Sequence, residues 1–237
     1  MNIFWVLYKK ELNIYFLSPL AYAFLSIFLF LAGLFFYLGL GIAAEPNIRI
    51  MVHNLSLSFL FLLPLLTMKQ FAEEMRTGTF EMMMTSPVPP LTLILSKWMA
   101  SVTLCVILCI GTAIFPLILS YFGTPDWGAI MGSYLGLLLC AMSFLAAGLF
   151  SSSLIDEPVA AGLGGVVLLL PFWLSDVASR FIEKGWLADV LKELSFLTHL
   201  ESFSEGLIDS VDVLWFLFFS IIFLVLTWRS VELRRWR

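Results

Sequence analysis

The 237-residue chain is 61% hydrophobic and 13% charged, and carries a formal net charge of −4. Soluble domains carry about 25% charged residues, so this composition excludes an ordinary soluble globule and predicts an all-α integral membrane protein. Cys105, Cys109 and Cys140 all fall in apolar runs and read as small packing residues, which argues against a disulfide framework or metal site.

The first element covers 1–17. On a helical wheel Asn2, Lys9 and Asn13 share a narrow polar face, opposite Ile3, Phe4, Leu7, Leu12, Ile14 and Tyr15. The pattern predicts an amphipathic helix lying in the interface against lipid. Glu11 lands on the apolar side. It is either a carboxylate at the interface level or a partner for a basic group in the bundle. Ser18-Pro19 ends this helix and opens the next, because proline suits a first turn and disfavours helix just before it. The apolar run that follows exceeds a cleavable core and has no small-residue cleavage site, so no signal peptide is expected.

Six apolar runs, at 20–42, 52–68, 98–121, 129–150, 159–174 and 213–228, are expected to span the membrane. A crossing helix needs about 20 such residues. Pro64 and Pro171 lie near the ends of the second and fifth, and Pro116 lies in the third. Such prolines are tolerated where neighbours satisfy the freed carbonyls, or they mark local unwinding beside a pathway. None of the six runs contains Lys, Arg, Asp or Glu. A charge at the bilayer centre costs about 2.5–3.5 kcal/mol, so retained charges usually mark ion relays. Spans without them offer no visible means of using an ion gradient, and energy for active transport would come from elsewhere.

Orientation follows from Lys and Arg. With the N-terminus inside, Lys9, Lys10, Lys69, Arg76, Lys97, Arg229, Arg234, Arg235 and Arg237 fall inside. Arg49, Arg180, Lys184 and Lys192 fall outside. This bias predicts that both termini are cytoplasmic.

The inside loop 69–97 is the most informative segment. On a helix Glu74, Thr77, Gly78 and Glu81 share one face, with Met75, Met82 and Met83 opposite. An acidic stripe backed by an adaptable apolar one suits a short surface helix presented to a soluble partner. Gly78 weakens such a helix by about 1 kcal/mol, so two short helices split there are an alternative. Glu73-Glu74-x-Arg76-Thr77-Gly78-Thr79-x-Glu81, followed by Pro87, resembles the signature of ABC-2 type (type V exporter-like) permeases. Tyr8-Lys9-Lys10-Glu11-Leu12 before Ser18-Pro19, and His199-x-x-x-Phe203-x-x-Gly206-x-x-Asp209, are similar to other segments of that family. The likeness covers nearly the whole chain and is greatest to the gliding-motility-type bacterial permeases, although Met82–Met84 stand where leucines are usual.

The resemblance implies a single transmembrane domain, 1–237, in a bacterial inner membrane. Its coupling helix, carrying Glu73, Glu74, Arg76, Thr77, Gly78, Thr79 and Glu81, would dock on a separate ABC ATPase present in two copies. A second permease protomer, identical or not, would complete a pathway lined largely by the second and fifth spans. By analogy Asn54, Ser58, Thr67 and Gly164 are candidates for that pathway. No Gly-x-x-x-x-Gly-Lys-Ser/Thr occurs in the sequence, so no cofactor is expected here and ATP would be bound by the partner subunit.

Other features read more simply. Gly128, Gly132 and Gly136, Ala160 with Gly164, Ala161 with Gly165, and Gly39 with Ala43 have the spacing that lets helices approach closely. Dimerisation and packing within one bundle are equal readings of it. The outer loop 175–212 contains Leu187, Val190, Leu191, Leu194 and Leu197 at helical spacing, which predicts an amphipathic outer helix. Its acidity reads as a solvated face, with a periplasmic partner as the alternative. His53 and His199 are isolated, and Ser151-Ser152-Ser153 with Asp156-Glu157 has no base nearby, so neither a metal site nor a catalytic site is expected. Nucleic acid is not an expected partner. Alternatives to the exporter are a secondary transporter or channel, and an ATPase-coupled scaffold acting mechanically on a periplasmic partner.

Overall fold

A computed structural model describes residues 3–42, 48–85, 88–181 and 185–235. Among these residues every regular element is an α-helix. In order they are α1 (Ile3–Leu17), α2 (Pro19–Ile42), α3 (Arg49–Thr67), α4 (Lys69–Arg76), α5 (Thr79–Met84) and α6 (Pro90–Thr112). There follow α7 (Ile114–Phe122), α8 (Trp127–Leu154), α9 (Pro158–Phe181), α10 (Trp186–Glu193), α11 (Phe196–Ser204) and α12 (Ser210–Arg235). Six stretches, Ala21–Leu40, Arg49–Arg76, Pro90–Tyr121, Trp127–Leu154, Pro158–Phe181 and Ser210–Arg234, are long and apolar enough to cross a membrane. This is the architecture of a multi-pass membrane protein.

The spans are longer than their apolar runs, because helix continues into polar sequence. Pro90 opens α6 after an extended Pro89, a first-turn position where the missing N–H costs nothing. Residues 90–97, expected in the inside loop, therefore belong to the third span. The fifth likewise runs on to Phe181 and takes residues from the expected outer loop.

Pro116 explains the break between α6 and α7. Its ring opposes a helical path past the carbonyl of Thr112, four residues back. The hydroxyl of Tyr134 donates to that freed carbonyl at 2.8 Å. The proline is thus satisfied by a neighbouring helix.

The fourth span is the axis of the bundle. In it 78% of the most apolar window is buried, against 28% for the first span, and α8 contacts α3, α6, α9, α11 and α12. Small residues make this possible. A Cβ on Gly148 would clash with Thr67 Oγ1, and one on Gly165 would meet Pro64 Cβ at 2.8 Å. A Cβ on Gly132 would meet the Phe203 carbonyl oxygen at 2.6 Å, and one on Gly136 would meet Phe203 Cβ at 2.8 Å. The stripe at 132 and 136 is filled by α11 of the same chain, so the two equal readings resolve there to packing within the bundle. Gly39 packs near Ile50, whereas Ala43 lies outside the described residues, as do Asn2, Ser86, Pro87, Lys184 and Arg237.

Asp126 caps α8 through Gly128 N–H at 2.9 Å, and Ser195 caps α11 through Leu197 N–H at 3.2 Å. The starts of α3, α8 and α12 gather with α11 at one end of the bundle. The ends of α3 and α8 meet α4 at the other, beside the end of α12.

Candidate functional site

After α3 the chain continues as two short helices, α4 and α5, split at Gly78. Its φ of 73° lies in the left-handed region, where a side chain would be strained. The Thr77 and Thr79 hydroxyls close the turn at 3.0 Å from one another, and Thr77 also donates to the Glu73 carbonyl at 2.9 Å. Ser152 of α8 fixes the root of α4. Its hydroxyl accepts from Phe71 N–H at 3.0 Å and Ala72 N–H at 3.1 Å, and donates to the Met68 carbonyl at 3.1 Å. A side chain from another span thereby does the work of an N-cap.

Behind α4 lies a buried ionic cluster. Lys97, 1% exposed, sits about two turns into α6. Its Nζ donates to Glu11 Oε1 at 3.1 Å and to Glu74 Oε1 at 2.7 Å. The ammonium also stands 5.3 Å from the centre of the Phe71 ring. Three elements distant in sequence, α1, α4 and α6, are joined at one nitrogen. Glu11 is therefore a partner for a basic group in the bundle, the second of its two readings. The inference of spans free of ionisable groups needs the matching correction. The third span, with its true start at Pro90, contains a buried lysine at its α4 end.

A neutral network lies alongside. The Gln70 amide nitrogen contacts the Tyr15 hydroxyl and the Ser101 hydroxyl, and donates to the Lys97 carbonyl at 3.2 Å. Tyr15 and Ser101 are 3.0 Å apart. Burial pushes the Tyr15 phenol upward, so it stays protonated and able to donate. The buried Gln70 Oε1 and Glu74 Oε2 have no hydrogen-bond partner. A cavity of about 430 Å³ opens beside the cluster, lined by Glu11, Tyr15, Lys69, Gln70, Glu73, Glu74 and Lys97 among others.

The motif residues divide into two groups. Glu74 turns inward to Lys97, with only 16% of its side chain exposed, and so does not share an outward acidic stripe with Glu81. Glu73 pairs with Lys69 one helical turn away at 3.8 Å. Arg76, Thr77, Gly78, Thr79 and Glu81 are exposed. The apolar side is mixed as well. Met75 and Met83 pack against the core and Phe80 is buried on Phe71, whereas Met82 is 74% exposed.

The candidate pathway residues do not converge. Thr67 is buried and donates to the Leu63 and Pro64 carbonyls. Gly164 faces Ser151 of α8. Asn54 and Ser58 are half-buried and donate to carbonyls one turn back in α3. Asn54 lines a cavity of about 320 Å³ with Arg49, His53, Asp176, Arg180 and Glu201 at the opposite end of the bundle.

At that end a second buried polar contact appears. His199 Nδ1 is 2.6 Å from Asp212 Oδ1, and its Nε2 is 3.0 Å from the Glu193 carbonyl. The ring stacks on Trp215 at 4.5 Å. His199 is thus not isolated; it ties α11 to the end of α10 and the first turn of α12.

Lys97, Gln70, Tyr15, Ser101 and Ser152 were not singled out by motif. One signal did point to Lys97. It shares a helical stripe with Leu93, Ile94, Ala100, Ser101 and Leu104, all of them buried. A lysine on an apolar stripe calls for a buried carboxylate. No family model matches the chain, and no curated protein matches it. Among the described residues no three His, Cys, Asp or Glu side chains are grouped to hold a metal ion.

Proposed function

We propose that this chain is the transmembrane permease subunit of an ATP-driven ABC exporter, coupling a separate ATPase to translocation across a bacterial inner membrane. The observation that carries the reading is the construction of α4 and α5. Their shared turn is exposed while the root is fastened by Lys97 to α1 and α6 and by Ser152 to α8. A load applied at Arg76, Thr77, Thr79 or Glu81 would reach α1 and two spans, the third and the fourth, through short, buried contacts. A loop that merely connected two spans would not need such fastening.

In this reading two copies of the ATPase bind a pair of permeases, with α1 at the cytoplasmic interface and α10–α11 on the periplasmic side. The permease performs no bond chemistry. A gradient-driven transporter is less well supported. Its ion-relay groups belong along the pathway, whereas Glu11, Glu74 and Lys97 are held together in a fixed cluster at one end.

The test is native extraction of the tagged chain with its candidate ATPase co-expressed. Stoichiometric recovery is expected, with loss in Glu81→Lys while membrane insertion is unchanged. Absence of the ATPase from the folded wild-type preparation would overturn the proposal, as would its undiminished recovery with Glu81→Lys.

A further inference from the structure

Both ring nitrogens of His199 face acceptors. Nδ1 lies 2.6 Å from a carboxylate oxygen of Asp212, and Nε2 lies 3.0 Å from the Glu193 carbonyl oxygen. A neutral imidazole has one N–H and one lone pair, so it satisfies only one of these acceptors. The imidazolium carries an N–H on each nitrogen and satisfies both. The surroundings favour the same form. His199 and Asp212 are 4% and 8% exposed, and a buried carboxylate calls for a cation. The ring also lies 4.5 Å from Trp215 at an interplanar angle of 27°, on a face that attracts positive charge. The charged groups on the elements packed around α11 have other engagements. On α10 the side chains of Asp189, Lys192 and Glu193 are exposed. On α9 Asp176 and Arg180 pair with each other at 2.7 Å. On α3 Arg49 lies 3.9 Å from Glu205, and His53 lines the outer cavity with Glu201 of α11 itself. Asp209, ahead of α12, accepts from Val211 N–H. From Trp127 to Leu154 α8 contains no Asp, Glu, Lys, Arg or His.

From this geometry we infer that His199 is an imidazolium in the present arrangement and forms a pH-sensitive latch, holding the end of α10 to α11 and to the first turn of α12 while it keeps both protons. Histidine is the side chain suited to such a switch, because its charge changes near neutral pH. When the pH rises, one ring proton leaves for solvent. The proton that remains stays on Nδ1 beside the Asp212 carboxylate, since a hydrogen bond to an ionised acceptor is the stronger one. Nε2 then turns a lone pair towards the Glu193 carbonyl, and two acceptors face each other. The contact between α11 and the end of α10 is lost. α10 is the element that yields, because none of its residues is fully buried. Phe196, Leu200 and Phe203 are buried and keep α11 in place.

The inference is independent of the ATPase, so it is tested on the full-length chain alone, in nanodiscs. His53→Gln leaves His199 as the one histidine, and NMR of the isotope-labelled ring nitrogens then reads its protons directly. An N–H on each nitrogen is expected at about pH 6, with loss of one as the pH is raised towards about 9. In a second sample a nitroxide on Asp189→Cys, at an exposed position of α10, reports the motion of that helix by electron paramagnetic resonance. The native Cys105 and Cys140 are buried and Cys109 is half-buried, which favours labelling at the new position. The immobilised component of the spectrum should be lost over the interval in which the ring loses its proton. A single ring N–H at the lower pH would overturn the inference, because the second proton would then sit on Asp212 or be absent. Ring deprotonation with an unchanged nitroxide spectrum would overturn it too. Both readings keep His199 in place, so neither depends on the folding of a variant at the latch. His199→Gln, which cannot titrate, should remove the pH dependence of the spectrum, and persistence of that dependence would equally overturn the latch.

Discussion

The two ends of the bundle are each closed by a buried polar contact, and they are built differently. At the α4 end one lysine serves two glutamates, from helices 86 and 23 residues away in sequence. At the α11 end one histidine meets one aspartate 13 residues away, with a backbone carbonyl on its second nitrogen and a tryptophan beneath the ring. The first contact fastens α1, α4 and α6 together, beside the neutral network of Gln70, Tyr15 and Ser101 that joins the same three helices. The second pins α11 beside the span that follows it. A cluster of two carboxylates on one buried cation depends chiefly on that cation, with the half-exposed Lys10 3.9 Å from Glu11 as a lesser support. The histidine contact shares its stabilisation with stacking and with helix packing against Gly132 and Gly136.

The largest expected effect follows from this dependence. Lys97→Met leaves Glu74 buried without its counter-charge and Glu11 with only the half-exposed Lys10 at 3.9 Å, and breaking such a pair costs about 3–5 kcal/mol. Thermal unfolding in detergent should fall accordingly. Adding Glu11→Gln and Glu74→Gln to Lys97→Met should recover most of the loss, because an uncharged cluster carries no uncompensated ion. A triple variant as unstable as the single one would mean that Lys97 acts by filling space and not by charge.

His199→Ala should cost less, about 1–3 kcal/mol, from the unpaired Asp212 and the lost ring contact. The same unfolding measurement checks it. Limited proteolysis should place the loosening at α10 and α11, with α4 and α5 unaffected. Equal losses at both ends would erase the distinction between a hub with three arms and a local pin.

The sequence made the six spans legible because a crossing helix needs a long apolar run, and that signal survives without any tertiary information. The split of α4 from α5 was legible as one of two alternatives, since Gly78 is a poor helix former whichever way the chain turns. The ends of the spans were not legible. Composition places the boundary where charge appears, so Lys97 counted as loop although α6 had already begun at Pro90. The same rule hid the site. Glu11, Glu74 and Lys97 each look like ordinary interfacial charges until the fold puts them within 3.1 Å of one nitrogen. Small-residue spacing carried half of its meaning. Gly132 and Gly136 announced a close approach, but only the chain path shows that the approaching segment is Phe203 to Gly206 of the same molecule.

The smallest expected effect lies beside the hub and sharpens the contrast between buried and exposed pairing. Arg234 near the end of α12 donates to Asp156 Oδ1 at 2.8 Å and to the Leu154 carbonyl at 2.7 Å. The geometry is as short as that of Lys97 with Glu74, yet the side chains are 32% and 65% exposed. Solvent already satisfies much of what the pair offers, and exposed pairs contribute about 0–1 kcal/mol. Arg234→Gln should therefore shift unfolding by less than about 1 kcal/mol, and raised salt should shrink the difference further. If Arg234→Gln proved as damaging as Lys97→Met, distance would matter more than burial. The α4 root would then owe its strength to the shortness of its contacts and not to the exclusion of water around Lys97.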